Sequence, residues 1–254
     1  MKQRPVPRPA LFVLALGLAA APLAATPWQV DRERSVFAVL THRAGIGSRL
    51  AHDHLVVARA PSAQLDFDPA RPEAVRFSAR ANVVALDVDP PAERAALSQR
   101  LIELGALAAA LPEVDPGDRE KVRKAMLGRD QMAPESFPEV GAELLALAPR
   151  GGGDGDGARV APGWSARVRL TVRGRAVERV IPVRWEVRAG ELAAEALGEF
   201  RYTEFGIEPY STMLGAIRND DRFHLYVVLV ARPDAAGGAA AGGAAAGTAP
   251  AAAD

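Results

Sequence analysis

The sequence predicts a mainly β protein, in which antiparallel strands close into a barrel or a sandwich, with a short helical insertion. Three observations support this prediction. Apolar and polar side chains alternate with a period of two over much of the chain, as they do in strands with one buried face. The strand candidates follow one another with Gly, Pro or Asp between them. One internal stretch instead has the spacing of helices, with apolar residues three or four positions apart.

The N-terminus has the layout of a secretory signal peptide. Residues 1–10 are basic, residues 11–24 form an apolar run, and small residues follow up to Ala25. The apolar run has 14 residues, whereas a membrane-spanning helix needs about 20. We therefore expect residues 1–25 to be cleaved and the mature protein to lie in the periplasm. An uncleaved membrane anchor is the alternative interpretation.

The expected barrel domain covers residues 26–233 and contains about nine strand candidates. Four precede the helical insertion, at residues 35–42, 54–60, 63–68 and 74–86. Five follow it, at residues 139–148, 164–172, 180–187, 194–202 and 223–232. The clearest pair is a hairpin around a short turn at Gly174, where Leu170 and Val183 lie on apolar faces opposite Arg169 and Arg184.

The helical insertion covers about residues 91–128. In residues 91–111 the apolar side chains recur at helical spacing. A second helix is expected after Asp115, a suitable N-cap, with Gly128 as its C-cap. An insertion of this kind can close one end of a barrel.

Two segments outside this pattern carry little chemistry. Residues 151–157 read "GGGDGDG", which predicts a flexible connection, because the spacing and the terminal glutamate of a calcium loop are missing. Residues 234–254 consist mostly of Ala and Gly and contain no large apolar side chain. We expect them to form a disordered tail.

Composition and motifs exclude several function classes. Without Lys2, Arg4 and Arg8 of the expected signal peptide, 28 basic residues stand against 31 acidic ones, so the mature chain lacks the positive surface of a nucleic-acid binder. No later apolar run is long enough to span a bilayer, so no stable membrane insertion is expected. The chain has no cysteine, which removes disulfides and thiolate metal sites. The sequence contains no phosphate-binding loop or nucleophile elbow, so we expect no cofactor and no enzyme activity.

Five stretches occur in an order that is typical of one family. They are "WQVDRERSVFAVLTHRAG", "LDFDPARPEAVRFSARANVVAL", "DREKVRKAMLGRDQMAPESFPEV", "ARVRLTVRGRAVERVIPVRWEV" and "RYTEFGIEP". Together they resemble landmarks of the YceI-like periplasmic proteins, which are associated with polyisoprenoid and lipid binding, over about residues 28–232. The chain resembles a divergent subgroup, because the insertion is longer and His52-Asp53-His54 stands where Gly-x-Phe is usual.

The resemblance implies an eight-stranded, lipocalin-like antiparallel barrel that holds an apolar, lipid-like molecule without catalysis. Eight strands enclose a space just wide enough for one small ligand. Strand alternation then predicts an apolar lining. We expect it to be formed by Phe37, Val39, Phe77, Val168, Leu170, Val183, Trp185, Phe200 and Leu225. A barrel with a filled core that binds another protein through its rim is a further interpretation.

The segment "LAHDHLV", residues 50–56, has three interpretations. His52 and His54 share one face of a strand. The preferred interpretation is that they form hydrogen bonds to carboxylates or to the backbone, with Asp53 among the available partners. Contact with the headgroup of a ligand is the second. The third is a metal-dependent protein, in which His52, His54 and His224 converge on a metal such as zinc.

Overall fold

In the computed structural model, residues 26–46, 52–59, 61–150, 163–212, 214 and 216–234 are described. The predicted signal peptide, the "GGGDGDG" stretch and the predicted tail beyond residue 234 lie outside these residues, as do residues 50 and 51 of "LAHDHLV". Antiparallel strands dominate the described part, with two α-helices between them. The prediction of a mainly β protein with a helical insertion is confirmed.

The described strands follow one another along the chain in the order in which they are numbered. Their bounds are β1 (Thr26–Val30), β2 (Val36–Ala44), β3 (His54–Ala58), β4 (Ser62–Phe67), β5 (Arg76–Asn82), β6 (Leu86–Val88), β7 (Glu139–Arg150), β8 (Gly163–Val172), β9 (Arg175–Arg188), β10 (Glu191–Arg201), β11 (Ser211–Thr212) and β12 (Ile217–Pro233).

Eight of these strands close into a barrel. The order around the barrel is β1, β4, β5, β7, β8, β9, β10 and β12, and each neighbouring pair is antiparallel. The ring is closed by β12 and β1, where Trp28 lies opposite Pro233. The predicted eight-stranded antiparallel barrel is therefore confirmed.

Three barrel strands are interrupted and then continue. The long strand β12 pairs with β1 near its C-terminal end and with β2 along its middle, so β2 extends the path of β1. Likewise, β3 and β4 are two parts of one interrupted strand. So are β5 and β6, which are separated by the 3-10 helix Val83–Ala85. At the first interruption the Asp31 carboxylate accepts the N–H groups of Glu33 and Arg34, both at 3.1 Å. As a result β2, β3 and β6 follow β12 as neighbours in one wall of the barrel.

The two helices have different positions. Helix α1 (Pro91–Glu103) packs on the outer face of β2 and β3, where Leu101 joins Leu40 and Leu55 in a buried cluster. It ends eight residues before the predicted end at residue 111, because Gly105 adopts a left-handed φ of 76°. The predicted extent of this helix was therefore wrong.

Helix α2 (Pro116–Met126) lies over the barrel interior, which it lines with part of one face. Its predicted N-cap is confirmed, since the Asp115 carboxylate accepts the N–H of Gly117 at 2.8 Å. The insertion thus closes one end of the barrel through α2 alone. No helix in the described residues is long and apolar enough to cross a membrane.

One half of the barrel interior is filled by aromatic side chains. The rings of Trp28 and Phe67 have their centroids 5.5 Å apart, those of Phe67 and Trp185 5.3 Å, and those of Trp185 and Trp164 5.5 Å. The indole N–H of Trp28 also donates to the Phe67 carbonyl at 2.9 Å. This aromatic cluster leaves the space for a site in the other half.

Candidate functional site

The half of the barrel that faces α2 encloses a cavity of about 650 Å³. Small-molecule sites in proteins occupy about 300–1,000 Å³. Seven strands contribute apolar side chains to the wall. One from each strand is Val39 in β2, Val56 in β3, Phe77 in β5, Leu86 in β6, Val140 in β7, Leu170 in β8 and Leu225 in β12. The cavity therefore has the size and the lining of a site for an apolar small molecule.

Five of the predicted lining residues face this cavity: Phe37, Val39, Phe77, Leu170 and Leu225. The rings of Phe37 and Phe77 are stacked, with centroids 6.3 Å apart. Both rings also pack against the cluster that contains Trp28 and Phe67. They therefore form the floor that separates the cavity from the filled half.

The other four predicted lining residues, Val168, Val183, Trp185 and Phe200, are not among the residues that line the cavity. Val168 and Val183 pack in the cluster around Ile181, and Trp185 belongs to the aromatic filling. Phe200 is fully buried against the ring of Phe223, with centroids 5.9 Å apart. These four side chains pack against other side chains of the protein and not against the cavity.

The cover of the cavity comes from α2. Val122, Ala125 and Met126 present apolar surface to the cavity. At the edge of this cover, the Lys121 ammonium donates to the Asp118 carboxylate at 2.8 Å. The pKa of Asp118 is lowered mainly by this hydrogen bond. The ion pair marks the transition from the apolar interior to the solvent.

A buried charged network supports the wall beside α1. Asp89 has no exposed surface, and Arg94 is 3% exposed. The Asp89 carboxylate accepts a hydrogen bond from the Arg94 guanidinium, the N–H of Leu55 at 2.8 Å, and Nδ1 of His54 at 2.6 Å. Every oxygen of this carboxylate therefore has a donor, which is the arrangement that a buried charge requires.

The same network joins three segments of the chain. The Arg94 guanidinium donates to the Pro112 carbonyl at 2.7 Å and to the Asp53 carbonyl at 3.0 Å. It thus connects the first turn of α1 to the segment that precedes α2 and to the start of β3. Neither Asp89 nor Arg94 is predicted by the sequence pattern. The signal available was an acid followed by two prolines at a helix start, and nothing in that pattern reveals a partner on β3.

His54 has the geometry that the hydrogen-bonding interpretation of "LAHDHLV" requires. Its partner is Asp89, the residue that directly follows β6. The neighbouring Asp53, which had been considered as a partner, instead accepts the N–H of Arg43 at 2.8 Å. Because the Asp89 carboxylate also accepts from Arg94 and from the N–H of Leu55, we assign the hydrogen of this contact to Nδ1 of His54. The other ring nitrogen, Nε2, is then the one available to a molecule in the cavity that His54 lines.

The structure does not bring His224 to His52 and His54. Phe223 and Leu225 line the cavity, so His224 between them faces outward, because side chains alternate along a strand. There its Nδ1 lies 2.8 Å from Nε2 of His42. Burial lowers the pKa of both His42 and His224. Among the described residues, no group of three His, Cys, Asp or Glu side chains is placed to hold a metal ion.

Comparison with known proteins supports the architecture. No family model and no curated protein matches the chain. The solved structure of BcnA from Burkholderia cenocepacia matches with a TM-score of 0.54 and 16% identity, over 80% of this chain and 99% of that one. At this identity the match shows the fold alone.

Two further structures have TM-scores below 0.5. A Campylobacter jejuni YCEI protein matches with a TM-score of 0.47 and 11% identity, over 70% of this chain and 84% of that one. A polyisoprenoid binding domain from Saccharophagus degradans, implicated in plant cell wall breakdown, matches with a TM-score of 0.47 and 6% identity, over 83% and 99%. The barrel described above, together with the BcnA match, gives this chain the lipocalin-like fold that its resemblance to the YceI-like family implies.

Proposed function

We propose that the protein is an exported binding protein that holds an apolar, lipid-like molecule in its barrel and performs no chemistry on it. The observation that carries the proposal is the cavity of about 650 Å³, which has apolar walls from seven strands and an apolar cover from α2. Each methylene group that leaves water for such an environment contributes about 0.8 kcal/mol. The affinity therefore comes from the walls, and no reactive group is needed for it.

The ligand class follows from the same walls. The YceI-like proteins that the sequence resembles are associated with polyisoprenoids and lipids, and a branched or straight hydrocarbon chain suits walls of Val, Leu, Ala and Phe. The Asp118 carboxylate at the edge of the cavity is paired with Lys121. The buried Asp89 carboxylate behind the wall already accepts from three donors. This leaves it unsuited to act as a general base, and it supports a binding role.

Export is the second part of the proposal. It rests on the basic, apolar and small-residue order of residues 1–25. N-terminal sequencing of the exported protein should begin near Thr26. A mature chain that retains residues 11–24 would contradict this part without affecting the binding proposal.

The binding proposal is tested by filling the cavity. Ala142 on β7 lines the cavity, whereas Ala146 on the same strand is exposed. The variant Ala142→Phe should exclude about two methylene groups of the ligand and lower the affinity for an apolar fluorescent dye about tenfold. The matched control Ala146→Phe should bind the dye as the unaltered protein does.

The natural ligand is then sought directly. Native mass spectrometry of protein purified from the periplasm should show a bound mass, and organic extraction should release a lipid. Equal dye binding by Ala142→Phe and Ala146→Phe, together with a bare protein mass, would refute the proposal and favour the filled-core interpretation.

A further inference from the structure

Two polar atoms in the cavity wall have no hydrogen-bond partner among the described residues. They are the Thr41 hydroxyl oxygen and Nδ1 of His52. Thr41 is only 6% exposed, and both residues line the cavity. Leaving a buried polar group unpaired costs about 1–3 kcal/mol, and nearly all such groups in proteins are paired. The unpaired atoms therefore point to a polar group that is supplied by the bound molecule.

These atoms lie beside His54. Thr41 on β2 is directly opposite His54 on β3 in the strand register, and side chains in such pairs have Cβ atoms about 4.5–5.5 Å apart. His52 is two residues before His54 and lines the same cavity. The three side chains form a polar patch in a wall that is otherwise apolar, which we call the Thr41–His54 subsite.

The subsite offers both hydrogen-bond roles. In the neutral imidazole, an Nδ1 that donates to Asp89 at 2.6 Å leaves Nε2 as a hydrogen-bond acceptor. The Thr41 hydroxyl is both a donor and an acceptor. A hydroxyl group of a ligand satisfies both, since it donates to Nε2 and accepts from Thr41.

The charges around the subsite favour a neutral group. The Asp89 carboxylate is compensated by Arg94, and Lys121 at the cover is paired with Asp118. The arginines that border the cavity, Arg80 and Arg218, are exposed to solvent. An anionic headgroup at Thr41 would therefore lie in the wall without a buried cation to compensate its charge.

We propose that Thr41, His52 and His54 form a polar subsite that binds the terminal hydroxyl group of a long-chain alcohol. This inference rests on the proposed function, because the hydrocarbon part of the alcohol occupies the apolar cavity. It adds a selectivity that apolar walls cannot provide, since they do not distinguish an alcohol from the corresponding alkane.

The test compares three probes with the same chain: hexadecanol, hexadecane and hexadecanoate. Each is titrated against the full chain that carries an apolar fluorescent dye, and displacement of the dye gives the relative affinity. Hexadecanol should bind about fivefold to thirtyfold more tightly than hexadecane, which corresponds to one or two hydrogen bonds. Hexadecanoate should bind more weakly than hexadecanol at neutral pH.

Two variants remove the subsite with little disturbance of the fold. Thr41→Val keeps the shape of the side chain and removes the hydroxyl, so it should lower the preference for hexadecanol about fivefold. His54→Asn retains a nitrogen that can donate to Asp89 and removes Nε2, so it should lower the preference by a similar factor. The matched control is Thr171→Val, which removes a hydroxyl from the outward face of β8, between the lining residues Leu170 and Val172, and should leave the preference unchanged.

Thermal unfolding separates a binding role from a structural one. If the Thr41 hydroxyl has no partner in the free protein, Thr41→Val should have an unchanged or a raised Tm. A lower Tm together with an unchanged preference for hexadecanol would overturn the proposal and make Thr41 a structural residue.

The remaining outcomes distinguish this inference from the proposed function. Equal affinity for hexadecanol and hexadecane would overturn the subsite while leaving the apolar cavity as a binding site. Tighter binding of hexadecanoate than of hexadecanol would also overturn it, in favour of an anion site. If no probe displaces the dye, or the dye does not bind, the proposed function itself fails.

Discussion

Replacing Arg94 by methionine tests the buried network behind the cavity wall. Arg94 is 3% exposed and Asp89 has no exposed surface. The variant leaves the Asp89 carboxylate with the donors from His54 and Leu55 alone. Removing one partner of a buried ion pair typically costs about 3–5 kcal/mol, because the other charge stays buried without compensation. We expect Arg94→Met to lose this amount of its free energy of unfolding.

The loss should be visible in both thermal and urea unfolding, followed by far-UV circular dichroism at pH 7. For a domain of roughly 200 residues, about 1 kcal/mol corresponds to about 2–4 °C in Tm, so the variant should melt about 6–20 °C lower. The matched control is Arg59→Met. Arg59 also bonds a carboxylate at the start of α1, Glu93, but its side chain is 47% exposed. An exposed pair of this kind contributes about 0–1 kcal/mol.

A second change sharpens the test. Asp89 has a positive φ of 50°, a conformation that asparagine tolerates well. Adding Asp89→Asn to Arg94→Met removes the uncompensated charge, so part of the lost stability should return. Losses below about 1 kcal/mol in both Arg94→Met and Arg59→Met would refute the argument, because the network would then be accessible to water.

Three further predictions follow from other parts of the molecule. Burial lowers the pKa of His42 and His224 below the ordinary value of 6.5. The free energy of unfolding should therefore be highest above pH 6.5 and fall below it, by up to about 1.4 kcal/mol per pH unit for each histidine, because the unfolded chain then binds the proton more tightly. Urea unfolding between about pH 5 and 7 should show this slope, and the variant with both histidines changed to Gln should not. A Cβ at Gly198 would lie 2.5 Å from the Cγ2 methyl group of Ile181, so Gly198→Ala should lose about 1–3 kcal/mol in urea unfolding. Its loss should be less than additive with that of Ile181→Ala, which removes this methyl group. Truncation after Pro233 should leave the Tm within about 2 °C of that of the full chain. The Ala and Gly residues beyond it have no side chain whose burial could offset an ordering cost of about 1–2 kcal/mol per residue. A larger drop in Tm would show that these residues pack.

The sequence was sufficient for elements with a clear local signal. The hairpin of β8 and β9 has strict alternation and a tight turn at Gly174, and α2 has its N-cap at Asp115. It was insufficient where the outcome depends on a distant partner. In β2, Leu40 packs under α1 on the outer face while Val39 lines the cavity. Both are apolar, so alternation alone does not separate the two faces.

In the candidate site, too, local patterns predict some residues, and others depend on distant partners. Alternation identified Phe77 and Leu170 as interior residues, and both line the cavity. It also identified Trp185 and Phe200 as interior residues, but these fill the barrel. The period of a strand gives the direction of a side chain, whereas the location of empty space depends on how the largest rings of several strands pack together. Asp89 was missed for a related reason, since its role arises from the register of β3 and β6.

The aromatic filling of one barrel half has a consequence for spectroscopy. The chain contains three tryptophans, and Trp28, Trp164 and Trp185 all lie in or beside that half, with none among the residues that line the cavity. Their emission therefore reports on whether the packed half is folded and is insulated from the contents of the cavity by the stacked rings of Phe37 and Phe77. Intrinsic fluorescence is thus a clean signal for unfolding in this protein, and an added dye is the appropriate signal for occupancy.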